Sequence, residues 1–194
     1  MPTVSEAVSY ISAVTSLPAA RINGIARQLI DDGLLPKSSG RRIETISKRQ
    51  LCLLIFAVFV SDTVKDATRT AISYDSLTIC GDHEGNTKAG AIYGDTAGEL
   101  FVKLINEFIV RDYVYGKNYN IYICTSVKYV RFEINDELMT NGNTENIEYS
   151  DADGRIYLTL DRPMFFAKIP GQTIMELASM WREEDRASPE RELF

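Results

Sequence analysis

Arg21, Asn23, Arg27 and Gln28 lie close together with two small residues, Ala20 and Gly24, in the stretch Ala20-Arg21-Ile22-Asn23-Gly24-Ile25-Ala26-Arg27-Gln28. A guanidinium bonds two acceptors of guanine at once, and a carboxamide does the same with adenine. Alanine and glycine let a helix come close to base edges. A few residues on, Lys37-Ser38-Ser39-Gly40-Arg41-Arg42 offers Lys37, Ser39, Arg41 and Arg42, which together suit a basic loop astride phosphates. This is the chemistry of double-stranded DNA recognition.

Other chemistries lack their residues. No nucleophile stands beside a base, and no phosphate loop is present. His83 is the only histidine, and Asp82-His83-Glu84 lacks the partner spacing of a metal site, so it reads as a surface turn. Asp151-Ala152-Asp153-Gly154 opens like a calcium loop but lacks the closing Glu, which leaves a hairpin turn. Gly90, Gly94 and Gly98 are evenly spaced, yet the last two flank a helix start. The expectation is a protein that is not an enzyme, with no cofactor and no bound metal.

The recognition residues need a helix to carry them. Ile22, Ile25, Ala26, Leu29 and Ile30 repeat at helical spacing, with Pro18 in the first turn, so a helix runs from about Leu17 to Gly33. Its opposite face groups Ala20, Gly24, Arg27 and Asp31, flanked by Arg21, Asn23 and Gln28. Before it, Thr3 and Glu6 make a capping-box pair, and Val4, Ala7, Val8, Ile11 and Val14 give an apolar stripe to pack on that helix. Thr15, Ser16 and Pro18 form the turn between the two.

At these residues the chain resembles the winged helix-turn-helix family, MerR-like in the arrangement of its parts. The parts would be Val4 to Val14, a turn at Thr15 to Leu17, a recognition helix from Pro18 to Asp32 ending in Gly33-Leu34-Leu35, a wing around Gly40, and a further helix from Ser47. It is also similar to small DNA-binding proteins of prophages and other mobile elements. The resemblance covers roughly the first third of the chain and implies a DNA-binding head.

Charge is distributed to match. Residues 1–73 hold nine Lys or Arg against six Asp or Glu, and residues 74–194 hold twelve against twenty-one, which together give the net −6. A basic head on an acidic body matters more than the average, because the reading surface sets the local field. At 194 residues, 45% hydrophobic and 25% charged, the composition is that of a globular protein. Cys52, Cys80 and Cys124 are widely spaced in apolar sequence, which predicts reduced, buried thiols. With no leader pattern at Met1 to Glu6, a cytoplasmic location is expected.

After Ser47 and Gln50, a second capping pair, the run Leu51 to Val60 is apolar all round. It is about half of the ~20 residues that span a bilayer, so no membrane partner is expected. Such a helix must be covered on every side. Leu53, Phe56 and Phe59 are expected to meet either the C-terminal body or a second copy. In a homodimer two recognition helices would address half-sites about 34 Å apart.

The body begins near Tyr74. Leu77 to Cys80 reads as a short strand, and Thr96 and Glu99 cap a helix with Leu100, Phe101, Leu104, Ile105, Phe108 and Ile109 on its apolar stripe. Alternation then takes over at Ile121 and Ile123, at Val130, Phe132 and Ile134, and at Ile156, Leu158 and Leu160, with Met164 to Ile169 as a further strand. Ile174, Leu177, Ala178 and Trp181 mark a closing helix after Pro170-Gly171. The fold class expected is α+β: a helical winged head over 1–73, an antiparallel sheet packed with helices over 74–185, and a flexible tail over 186–194. The function expected is a sequence-specific transcriptional regulator. The alternative is an adaptor or inhibitor whose acidic body binds another protein, as a nucleic-acid mimic.

Overall fold

Three Ser/Thr-x-x-Glu/Gln pairs start three helices, and in each the side chain and backbone bond reciprocally, which satisfies amides that a helix start leaves open. Thr3 and Glu6 open α1 (Val4–Thr15), and Ser47 and Gln50 open α3 (Lys48–Val60). Thr96 Oγ1 accepts from the Glu99 amide at 3.3 Å, and the Glu99 carboxylate accepts from the Thr96 amide at 3.3 Å, ahead of α5 (Ala97–Val110). Between α1 and α3 lies α2 (Ala19–Asp31), with Pro18 at its N-cap. A short 3₁₀ turn (Val64–Asp66) leads into α4 (Ala67–Asp75), and α6 (Gly171–Ser179) is the last helix among the described residues. The computed structural model describes residues 2–39, 42–79, 94–110, 119–134, 145–150 and 165–181.

Among these residues the strands form one antiparallel sheet: β1 (Thr78–Ile79), β2 (Tyr119–Cys124), β3 (Tyr129–Ile134), β4 (Glu145–Ser150) and β5 (Phe166–Pro170), in the order β1-β4-β3-β2-β5. The register sets Ile121 opposite Phe132 and Ile169, and Val130 opposite Ile123 and Tyr149. Period-two alternation therefore puts Ile121, Ile123, Val130, Phe132, Ile147, Tyr149 and Ile169 into one buried set. The fold is mixed α+β, as the sequence predicts, with six α-helices and this sheet among the described residues. The second strand of the register, β4, carries only Ile147 and Tyr149 as apolar signal, and sequence periodicity passes over it.

α3 is the centre of the core. Leu51 through Val58 are all buried, and Phe59 is half-buried. The Phe56 ring lies 6.3 Å from that of Tyr74 and 5.9 Å from that of Phe101; Phe101 in turn meets Phe132 at 6.5 Å, and Phe132 meets Tyr149 at 5.6 Å. A line of aromatic contacts thus runs from α3 through α5 into the sheet. Phe56 meets Phe101 of the body, Leu53 and Phe59 pack in or against the same core, and one continuous cluster joins α1, α2 and α3 to the sheet. The boundary expected at residue 73 falls inside α4.

One polar contact is set into this junction. The Arg49 guanidinium donates to Asp75 Oδ2, while Asp75 Oδ1 is buried with no hydrogen-bond partner among the described residues. Burial pushes the Asp75 carboxyl above its ordinary range, against the pull of Arg49. Cys52, fully buried beside this pair, is pushed well up by burial and stays a thiol. Cys52 and Cys124 are buried and free, as expected. No helix among the described residues is long and apolar enough to cross a membrane. Cys80, the turns at 82–84 and 151–154, the strand expected at 156–160 and the tail at 186–194 lie outside the described residues.

Candidate nucleic-acid interface

The turn that presents α2 is built by hydroxyls. Thr15 Oγ1 donates to the Ile11 carbonyl at 2.6 Å, and Ser12 Oγ donates to the Leu17 carbonyl at 2.7 Å. Ser16 takes a left-handed conformation, φ 58°, so α1 stops and the chain turns within three residues to start α2. The far end is closed as firmly. Gly33, at φ +79°, allows the Leu34 amide to reach back to the Leu29 carbonyl at 2.8 Å and its own amide to reach Ile30 at 3.0 Å, a Schellman closure. Ile22, Ile25, Ala26 and Leu29 are buried, as the helical spacing predicts.

The opposite side of α2 divides in two. Ala20, Arg21, Asn23 and Arg27 are exposed, whereas Gly24 and Gln28 are half-buried. A Cβ added at Gly24 would sit 3.5 Å from Val64, so Gly24 faces the 3₁₀ turn instead of open solvent. Arg21 Nη2 donates to the Ser61 carbonyl at 2.6 Å. Gln28 Nε2 donates to Asp32 at 3.0 Å, and Asp32 also accepts from the Thr68 hydroxyl. Those two bonds, Thr68 first, hold the Asp32 carboxyl below its usual range. Sequence reading groups Gly24 and Gln28 with the outward set because nothing local signals a neighbour at 61–68, some forty residues away. Asn23 and Arg27 have no hydrogen-bond or ion-pair partner among the described residues.

Beyond α2, Lys37, Ser39 and Arg42 are exposed. Ser39 and Arg42 pair across an antiparallel bridge, with backbone bonds of 3.2 and 3.0 Å; Gly40 and Arg41, at the centre of the expected wing, lie outside the described residues. Arg42 Nε lies 2.5 Å from the Glu44 carboxylate, which offsets part of its charge. The loop is fastened at both ends. Gln50 donates to the Leu34 carbonyl at 3.2 Å, and the Ile46 amide donates to the Pro2 carbonyl at 2.8 Å. Ile43, next to Arg42, is 70% exposed.

No group of three metal-ligating side chains occurs among the described residues. In the sheet, Tyr122 lies under Arg131 at 4.5 Å and Lys168 at 5.4 Å, and the same face carries Glu133 and Glu148, so two carboxylates meet those two cations. From Ala19 to Arg42, by contrast, five cations face two carboxylates. No protein-family model matches the chain, and no characterised protein or solved structure matches it.

Proposed function

We propose that this protein is a sequence-specific DNA-binding regulator in which α2 enters the major groove while the loop at 37–42 grips the flanking phosphates. The observation that carries the reading is the exposed stripe of α2, where Asn23 and Arg27 stand without a hydrogen-bond or ion-pair partner among the described residues. Side chains not committed to such bonds can offer their donors and acceptors to base edges. The excess of cations between Ala19 and Arg42 supports it further, because phosphate neutralisation supplies most of the non-specific affinity.

The test separates bases from phosphates. Arg27→Ala is expected to cost about 1–3 kcal/mol on the preferred duplex and little on a random one. The double change Arg41→Ala and Arg42→Ala is expected to weaken both duplexes alike and to flatten the slope of log affinity against log salt by about 1 to 2. Fluorescence anisotropy across a salt series reads both. Absence of duplex binding at about 50 mM salt, or equal losses for both variants on both duplexes, would overturn the assignment.

A further inference from the structure

Four polar side chains of α2 are of types that read bases, and they fall into two pairs. Arg21 is bonded to the Ser61 carbonyl, and Gln28 is bonded to Asp32, which Thr68 also engages. For either to contact a base, a bond inside the protein must first be given up. Asn23 and Arg27 carry no such commitment among the described residues, and Ala20, three residues before Asn23, continues their exposed stripe. At 1.5 Å rise per residue, Asn23 and Arg27 stand about 6 Å apart along the helix axis. That is close to two base steps of about 3.4 Å. A carboxamide matches the N6 and N7 edge of adenine, and a guanidinium matches O6 and N7 of guanine. Asp31, one turn further on, sets a carboxylate where phosphates would approach. Reading therefore concentrates in the first two-thirds of α2, the end that helix-turn-helix proteins direct at base edges.

We infer, resting on the DNA-binding reading above, that Asn23 and Arg27 are the two specificity-determining residues, taking an adenine and a guanine about two base pairs apart. Arg21 and Gln28 are positioning residues: Arg21 fastens α2 to Ser61, and Gln28 holds Asp32, which Thr68 engages.

Selection of duplexes from a random-sequence pool tests this with the full chain and four single variants, Asn23→Ala, Arg27→Ala, Arg21→Ala and Gln28→Ala, each checked for folding by far-UV circular dichroism. The wild type is expected to enrich a motif containing that adenine and guanine. Asn23→Ala loses discrimination at the adenine only, and Arg27→Ala at the guanine only, each by about 5- to 150-fold. Arg21→Ala and Gln28→Ala keep both preferences even where they bind more weakly. A motif lacking this base pair of signals, one that survives both Asn23→Ala and Arg27→Ala, or one erased at a position by Arg21→Ala or Gln28→Ala, overturns the division of roles and leaves the regulator reading standing. A wild-type pool that enriches no motif overturns both.

Discussion

Replacing Phe56 by alanine is expected to cost about 3–5 kcal/mol, the largest effect of any single change considered for this chain. The side chain is fully buried in α3, between Tyr74 and Phe101, at the head of the aromatic line that ends at Tyr149. Truncation removes the transfer free energy of the ring and leaves a cavity that helices packed on three sides cannot close. Because one cluster joins the N-terminal helices to the sheet, the loss should fall on the whole molecule. Urea unfolding followed by Trp181 fluorescence, which reports the buried indole after α6, should coincide with unfolding followed by far-UV circular dichroism. Two separated transitions, with only the N-terminal one displaced by the substitution, would show that the continuous core does not hold the halves together.

Gly98→Ala is expected to destabilise by about 2 kcal/mol, against what helix propensity alone would give. In an exposed helix the change would be favourable by about 1 kcal/mol. Here an added Cβ would lie 1.9 Å from Asp75 Oδ1, 2.7 Å from its Cγ and 2.9 Å from Arg49 Cζ. Asp75 is a short side chain, 13% exposed, and can move aside only by giving up Arg49. Breaking a buried pair costs about 3–5 kcal/mol; Arg49 is 39% exposed and recovers part of that in water, which is why the expectation is lower. A double-mutant cycle with Asp75→Ala isolates the clash. In that background the second substitution should cost much less, whereas additive losses would mean that Gly98 and Asp75 do not touch.

How far the sequence could be read depends on the range of the interaction. The three capping pairs, the helical stripe of α2 and the alternation of β2 and β3 involve residues a few positions apart, and all are in place. The left-handed glycine at position 33 is marked by its neighbours Leu34 and Leu35, which supply the apolar closure. Long-range contacts left no such mark. That Phe56 meets Phe101, or that Gly98 admits Asp75, depends on how α3, α4 and α5 are packed. The same holds within the candidate interface: Arg21 and Asn23 look alike on a helical wheel, and only the return of the chain at Ser61 distinguishes the tethered residue from the free one.

The interface on α2 is most directly tested by following backbone amide signals of the full-length protein during titration with a selected duplex. The largest shifts are predicted at Ala20 to Gln28 and across the loop at 37–42, with the sheet strands scarcely altered. Shifts concentrated on β2 to β5, with the α2 signals unmoved at saturation, would contradict the assignment of this helix as the DNA-reading element.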